Sequence, residues 1–216
     1  MVLIKGKKTL LYDTGGPNVI SQLHSAIRSG QLKPREVDGV IVSHLHWDHG
    51  MNVNLFPDSE IFLSKREFEY AKHPKFQDWA TPYGITKLYQ DLKLRFVEEG
   101  TELMRGVKVV DAPGHSPGLV VLEVETRNDV AILASDALFS AKSFLAGEPF
   151  LIFYSRSAAR LSMTKIKKRG SLFYPGHDIP FRYREGKIEY ITRQPIDLGV
   201  ELGPYKNVKK MHATLE

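Results

Sequence analysis

The sequence contains no cysteine, and this absence restricts the chemistry available to the chain. Neither a disulfide nor a thiolate metal ligand can form, so any metal site must use histidine and carboxylate ligands. No apolar run approaches the roughly 20 residues that span a bilayer. The apolar stretch in the N-terminal Met-Val-Leu-Ile-Lys-Gly-Lys-Lys is also far too short for a signal peptide. These absences predict a cytoplasmic protein that does not interact with a membrane.

The overall composition predicts one ordinary globular domain over residues 1–216. Apolar residues make up 42% of the chain and charged residues 25%, which argues against disorder. A chain of 216 residues can bury a substantial core without disulfide or metal staples. The formal net charge of +5 permits an anionic substrate. The one dense basic run, at residues 165–169, ends a predicted helix, where cations interact favourably with the helix dipole and normally face water.

Along the chain, the spacing of apolar residues alternates between the pattern typical of helices and the pattern typical of strands. Strands are predicted at residues 7–12, 37–42, 60–63, 107–110, 119–124, 130–133 and 172–174, with a hairpin at 182–191. Helices are predicted at residues 19–27, 65–72 and 155–168. Strands alternate with helices in the first and last thirds and cluster in the middle, which indicates a layered α/β protein with mixed sheets. Segment 73–99 suits a partly ordered lid or rim over a site.

A dense group of potential metal ligands follows the predicted strand at 37–42. His44, His46, Asp48 and His49 fall within six residues of a chain that has eight histidines. The strand ends near this point and the chain then turns, so alternate side chains 44 and 46 can converge on one ion. Asp48 and His49 would then face a second ion. A single histidine is more often a core or surface group, but this cluster predicts a metal site.

Three further loops each supply one potential ligand. His115 lies in the tightly turning Pro-Gly-His-Ser-Pro-Gly loop, Asp136 follows the strand at 130–133, and His177 follows the strand at 172–174. Loops at the ends of strands gather at one edge of a sheet and can share a site. Glycine and proline beside both histidines fix the backbone and allow close approach.

The order His-x-His-x-Asp-His, Gly-His, Asp and Gly-His resembles the metallo-β-lactamase superfamily. The family's Asp-Thr-Gly turn is matched at residues 13–15, and the similarity runs from about residue 7 to 180. The resemblance implies an αββα sandwich of two mixed β-sheets flanked by helices, with two metal ions at one rim. It implies that His44, His46 and His115 hold the first ion, that Asp48, His49 and His177 hold the second, and that Asp136 bridges both. Asp13 would orient a ligand histidine.

Two ions at this site would make the chain a metal-dependent hydrolase. Zn²⁺, two per chain, is the expected cofactor, although histidine and carboxylate ligands also accept iron and manganese. A metal-bridging hydroxide would cleave an ester, lactone or thioester bond of a small molecule. Asp48 is favoured over Asp136 for passing a proton to the leaving group.

The resemblance is nearest to N-acyl homoserine lactonases and short glyoxalase II-like hydrolases. Trp47 stands where such lactonases place an aromatic pocket residue, and core packing is the alternative for this side chain. The lactonases also carry a tyrosine, whose hydroxyl contacts the substrate carbonyl, where this chain has Phe139, which cannot donate a hydrogen bond. Family members have more strands ahead of the Asp-Thr-Gly turn, so the first sheet is smaller here or a second copy covers its edge. An open edge is a liability, which favours a homodimer.

Two other functions remain open on the sequence. A phosphodiesterase or nuclease acting on RNA or DNA would suit the net charge and the basic-aromatic run Phe-Arg-Tyr-Arg at residues 181–184. A solvated strand edge is the more common role of such a run. A non-catalytic protein that keeps its metal ions only for structure is the third hypothesis, and it predicts no turnover of any substrate.

Overall fold

The computed structural model describes residues 1–191, which form two β-sheets packed face to face. The first sheet contains five strands in the order β1 to β5. They are β1 (Val2–Lys5), β2 (Thr9–Tyr12), β3 (Gly39–Ile41), β4 (Glu60–Ser64) and β5 (Lys93–Val97). The pair β1 and β2 is antiparallel, and the pairs from β2 to β5 are parallel. The sheet is therefore mixed, as predicted.

The second sheet contains seven strands, and the chain order of its strands matches their order in space. They are β6 (Glu102–Met104), β7 (Val107–Asp111), β8 (Val120–Glu125), β9 (Val130–Ser135), β10 (Leu172–Pro175), β11 (Phe181–Arg184) and β12 (Lys187–Tyr190). Neighbouring strands are antiparallel except β9 and β10, which are parallel. The parallel pair requires a crossover, and residues 136–171 between them contain two helices.

Apart from the shortest, the helices cover the outer faces of the two sheets and give the sandwich three apolar layers. The helices are α1 (Ile20–Arg28), α2 (Trp47–Gly50), α3 (Lys65–Lys72), α4 (Ala141–Ala146) and α5 (Arg156–Lys167). One cluster packs α1 and α3 on the first sheet, a second fills the space between the sheets, and a third packs α4 and α5 on the second sheet. The αββα sandwich predicted from the resemblance is confirmed.

Strand periodicity explains how one strand serves two layers. In and beside β3, Val40 and Val42 pack towards the helices, whereas Ile41 packs between the sheets. Successive strand side chains point to opposite faces, so a strand covered on both sides is apolar at every position. This is why residues 40–42, Val-Ile-Val, are apolar at every position.

The structure corrects the prediction at several elements. The strand predicted at residues 7–12 begins at Thr9, because Lys7 and Lys8 lie in the bend after β1. Strand β1 was not predicted, since its apolar run is short. Segment 73–99 was expected to be partly ordered, but it contains a 3-10 helix (Ile85–Tyr89) and edge strand β5. Strand β5 is largely exposed, so its sequence lacks a clear strand pattern.

Other predictions about the whole chain remain open. The single-domain prediction covers residues 1–216, of which 192–216 lie outside the described residues. Strand β1 forms one edge of the first sheet, and the homodimer that would cover this edge stays a prediction. Within residues 1–191, no helix has both the length and the apolar character needed to cross a membrane.

Candidate metal centre

The predicted ligands converge at one edge of the sandwich, where several strands end. Strand β3 leads to His44 and His46, helix α2 carries Asp48 and His49, and the loops after β7, β9 and β10 carry His115, Asp136 and His177. Ligand atoms within 4.8 Å of one another form three groups. These groups are His44 with His46 and His115, His44 with His49 and Asp136, and Asp48 with His49 and His177.

The first two groups share His44 and lie in the buried part of the site. His46 Nδ1 lies 2.8 Å from His115 Nε2, and the rings of His44 and His46 have centroids 4.5 Å apart. The third group lies nearer the surface. Asp48 Oδ2 is 3.5 Å from His49 Nε2 and 3.4 Å from His177 Nε2.

Asp136 lies between the two sets of predicted ligands. Its Oδ2 is 3.4 Å from His115 Nε2, while its Oδ1 is 3.3 Å from His49 Nε2 and 3.2 Å from His177 Nε2. One carboxylate oxygen therefore faces each set, which is the placement a bridging ligand requires. Gly176 is needed for this packing, because a Cβ at that position would collide with Asp136 Oδ1.

Asp13 and Ser43 orient two of the histidines. Asp13 Oδ2 accepts a hydrogen bond from His49 Nδ1 at 2.9 Å, and its Oδ1 accepts the backbone N–H of Ser43 at 2.7 Å. Ser43 Oγ lies 2.9 Å from His44 Nδ1. In both histidines the Nδ1 atom is thereby occupied, which leaves Nε2 for a metal ion. The predicted contact of Asp13 with a candidate ligand is present.

Backbone strain marks the same place. Asp13 and Ser135 have positive φ angles, of 58° and 43°, although neither is glycine. Such conformations cost free energy and persist where surrounding contacts impose them, often at functional sites. Ser135 Oγ contacts both Asp13 Oδ2, at 3.2 Å, and His49 Nδ1, at 3.1 Å. The strained backbone thus holds two polar groups against one candidate ligand.

Glu67 is a buried carboxylate that joins two ligand-bearing loops. It accepts hydrogen bonds from the backbone N–H of Leu45 at 3.1 Å, from Ser116 Oγ at 2.9 Å and from the Gly118 N–H at 2.8 Å. Burial raises the pKa of Glu67, against the lowering effect of the Leu45 N–H. The close approach requires Gly118, since a Cβ there would collide with the Glu67 backbone.

Sequence reasoning missed Ser43, Glu67, Asp78 and Ser135 as partners of the ligands. Two of them had a usable signal, because Ser43 and Ser135 directly precede His44 and Asp136 in the sequence. Glu67 and Asp78 had no such signal, because the residues that they contact are distant from them along the chain.

The polar atoms at the centre of the site fit a metal ion. Among residues 1–191, the buried side-chain atoms without a hydrogen-bond partner are His44 Nε2, His49 Nε2 and Asp136 Oδ1. Nearly all buried polar groups in proteins are paired, so exceptions need an explanation. All three atoms belong to predicted ligands and converge on the same space. Imidazole nitrogen and carboxylate oxygen are suitable donors for zinc and similar ions.

The pKa values divide the histidines into two sets. Burial lowers the pKa of His44 well below its usual value, and it lowers the pKa of His115 to about 4 despite the opposing charge of Asp136. Burial would also lower the pKa of His49, but the charges of Asp136 and Asp13 outweigh it and raise that pKa well above the usual value. The Asp136 carboxylate, whose Oδ1 lies 3.2 Å from His177 Nε2, raises the pKa of His177.

We expect metal binding to release protons from His49 and His177. Imidazole must be neutral to bind a metal ion, and a raised pKa means that these groups hold protons to higher pH in the metal-free protein. The second ion's affinity should therefore rise with pH until the raised pKa values are passed. Calorimetry at pH 7 in two buffers of different protonation enthalpy would measure the release. Asp13→Asn should reduce it, and heats that do not depend on the buffer would contradict the expectation.

A cavity of about 380 Å³ opens beside Asp48, His49 and His177. Trp47 lines it and is 37% exposed, so it stands on the cavity wall and is not part of the core. Aromatic rings also surround the ligands. Phe139 stacks on His177 with ring centroids 4.3 Å apart, and Phe153 packs edge-on against His46 at 5.0 Å.

Comparisons with known proteins identify one family and several relatives. Residues 1–177 match the model of the metallo-beta-lactamase superfamily. An N-acyl homoserine lactonase from Bacillus cereus is 30% identical over 152 residues, which cover 68% of this chain. The chain spans 58% of the length of that curated relative.

Solved structures share the fold. A B. thuringiensis AiiA mutant with N-decanoyl-L-homoserine bound at the active site superimposes with a TM-score of 0.70 and 25% identity, covering 82% of this chain and 80% of that chain. AidC, a dizinc quorum-quenching lactonase in complex with its product, gives a TM-score of 0.69 at 20% identity, covering 90% of this chain and 79% of that chain. Because the family model matches most of the residues that build this sandwich and its rim, the chain belongs to the metallo-beta-lactamase superfamily.

Proposed function

We propose that the chain is a metal-dependent hydrolase that holds two metal ions and cleaves an ester, lactone or thioester bond of a small molecule. The observation that carries this proposal is the convergence of three unpartnered buried atoms, His44 Nε2, His49 Nε2 and Asp136 Oδ1, on one space between seven candidate ligands. A protein without a metal ion would leave these buried atoms without a hydrogen-bond partner, which is costly.

The proposed ligands divide between two ions. His44, His46 and His115 would hold the first, Asp48, His49 and His177 the second, and Asp136 both. Zn²⁺ is the proposed metal, with iron or manganese as alternatives for the same donors. The related AidC is described as a dizinc lactonase, which supports a pair of zinc ions. When bound, such a pair supplies an activated water as nucleophile and polarises the carbonyl oxygen of the substrate.

The side chains around the ions have different tasks in this proposal. Asp136 is 4% exposed and is surrounded by histidines, so it holds the ligand set together. Asp48 is 21% exposed and lines the cavity. Burial would raise the pKa of Asp48, but the neighbouring His49, whose Nε2 lies 3.5 Å from Asp48 Oδ2, outweighs it and lowers that pKa. Asp48 is thus an ionised, reachable carboxylate that can take a proton and deliver it to the leaving group.

The cavity supports a small acyl substrate. Its volume of about 380 Å³ lies in the range of small-molecule pockets, which begins at roughly 300 Å³. Trp47 and Tyr174 give its wall an apolar part beside the candidate ligands. The similarity to N-acyl homoserine lactonases supports a lactone or an acyl ester as the substrate class.

The nuclease hypothesis receives less support from the structure. Its main residues were Arg182 and Arg184 on β11. Both arginines bind Asp129, with Arg182 Nε 3.1 Å from Oδ2 and an Arg184 guanidinium nitrogen 2.8 Å from Oδ1. Asp129, which directly precedes β9, therefore pairs with both positive charges and reduces their availability for phosphate.

The substrate class can be tested with a panel of compounds. We expect the zinc-loaded protein to hydrolyse at least one lactone, ester or thioester and not RNA or other phosphodiesters. The rate should change little with ionic strength, since a neutral substrate releases no counterions. A strong fall in cleavage between about 50 and 200 mM salt would instead support the nuclease hypothesis. No turnover of any member of the panel would favour the non-catalytic metal-binding protein.

A further inference from the structure

Asp78 is a buried carboxylate in residues 73–99, the rim segment beside the candidate metal centre. It is 3% exposed and is surrounded by donors. Its Oδ2 accepts hydrogen bonds from the Tyr70 hydroxyl at 2.8 Å and from Thr81 Oγ1 at 2.9 Å, and its Oδ1 accepts the Thr81 backbone N–H at 3.2 Å. His46 Nε2 lies 3.2 Å from Oδ1 and 3.4 Å from Oδ2. One side of this carboxylate therefore faces a candidate metal ligand.

The contact selects which nitrogen of His46 is free. An ionised carboxylate only accepts hydrogen bonds, so His46 Nε2 carries the hydrogen and donates it to Asp78. The lone pair then lies on Nδ1, the atom that is 2.8 Å from His115 Nε2 within the ligand group. A shift of the hydrogen to Nδ1 would block metal binding by this side chain.

His46 differs in this respect from its neighbours. In three other candidate ligands the outward nitrogen is Nδ1, which contacts Ser43 Oγ in His44, Asp13 in His49 and the Leu151 carbonyl in His115. Those histidines present Nε2 to the site, whereas His46 presents Nδ1. The partners that orient the others cannot orient His46, because its outward atom points towards the rim segment.

The rim segment is also held by contacts that do not involve Asp78. The Trp47 N–H donates to the Ala80 carbonyl at 3.0 Å, and the rings of Trp79 and Phe153 have centroids 5.4 Å apart. Because neither contact uses the Asp78 side chain, we expect both to remain when Asp78 is replaced. A change in metal binding can therefore be separated from loss of the segment.

We propose that Asp78 is a positioning residue for the first metal ion, which it serves by fixing His46 with Nδ1 directed into the ligand group. This inference rests on the proposed two-metal function. Partners of metal-bound histidines typically change metal affinity by about 10-fold to 100-fold when they are replaced. The effect should be confined to the ion held by His44, His46 and His115.

The test is a titration of the metal-free protein with Zn²⁺ in competition with a chromophoric chelator. Wild-type protein should bind two ions. Asp78→Ala should weaken one of them about 100-fold, and Asp78→Asn, which keeps one oxygen acceptor but no charge, about 10-fold. The other ion should bind with unchanged affinity. Glu69 is an exposed carboxylate within helix α3, so Glu69→Gln is the matched control and should behave as wild type.

Long-range ¹H–¹⁵N spectra of the zinc-loaded protein provide a second measurement. We expect wild-type His46 to bind through Nδ1 with its hydrogen on Nε2, and the spectra of the Asp78 variants to lose this signature. If Asp78→Ala does not fold, Asp78→Asn, which has nearly the same shape, decides the question.

Three outcomes would overturn the inference. The first is wild-type affinity for both ions in the variants, and the second is a His46 that binds zinc through Nε2. The third is an equal loss of both ions together with a lower melting temperature, which would indicate a purely structural role. A wild-type protein that binds no zinc would contradict the proposed function itself, and this result is visible before any variant is made.

Discussion

Replacing Asp136 by alanine is expected to remove at least one of the two metal ions and to lower the hydrolysis rate by about 10³-fold. This carboxylate faces His115 with one oxygen and His49 and His177 with the other, at 3.2 to 3.4 Å. In the proposed centre its loss would remove a ligand from both ions, and it also removes an anion from between the histidines. A loss of about 4 kcal/mol of transition-state stabilisation, within the several kcal/mol that metal ions supply, corresponds to that factor. Metal analysis and rates on the identified substrate would measure both effects.

His46→Ala is the companion variant, and in the proposed centre it would remove a ligand of one ion only. We expect it to lose the first ion, to retain the second and to lose most of its activity. Asp58→Asn, at an exposed aspartate away from the site, is the control for a general effect of removing a carboxylate. Unchanged metal content and unchanged hydrolysis in both His46→Ala and Asp136→Ala would contradict the proposed centre.

Replacing Phe139 by tyrosine is expected to raise lactone hydrolysis by about 10²-fold. The lactonases that this chain resembles have a tyrosine at this position, whose hydroxyl contacts the substrate carbonyl. The ring of Phe139 stacks on that of His177 with centroids 4.3 Å apart, so it already lies beside the candidate metal centre. One hydrogen-bond donor to a developing oxyanion is worth about 10²-fold to 10³-fold in rate. The measurement is kcat/KM on a series of acylated lactones with wild-type and variant protein.

A matched control for the added hydroxyl is available next to Phe139. The ring centroids of Phe150 and Phe139 are 5.8 Å apart, and Phe150 is 77% exposed. Phe150→Tyr therefore adds the same hydroxyl group to a neighbouring ring. We expect Phe150→Tyr to leave the rate unchanged. If Phe139→Tyr hydrolyses lactones no faster than wild type, then a hydroxyl at this position does not assist the reaction in this chain as it does in the lactonases it resembles.

The three longer helices could be predicted because their signals are local. Helix α5 begins after Ser155, whose side chain accepts a hydrogen bond from the Ala158 N–H, and α1 is followed by Gly30 with a positive φ of 71°. Capping and apolar spacing act within a few residues, so a single sequence contains them. Strands β1 and β5 lacked such signals because each lies at a sheet edge and is partly exposed.

The partners of the ligands could not be predicted in the same way. Asp78 contacts His46 over 32 residues of sequence, and Glu67 joins Leu45 to Ser116 over separations of 22 and 49 residues. Such contacts depend on where α3 and the rim segment pack on the sheet. No local pattern distinguishes these two carboxylates from those of other surface helices and loops.

The sequence by itself determined which residues can bind metal ions, because the donor types and their spacing at strand ends are properties of the chain. With no cysteine present, histidine and carboxylate were the remaining ligands. Only the tertiary structure decided how these ligands are oriented. Two ring nitrogens are available in each histidine, and the choice between them depends on a partner that folding brings from elsewhere. In His46 that partner is Asp78, and the packing of the rim segment against the sandwich places it there.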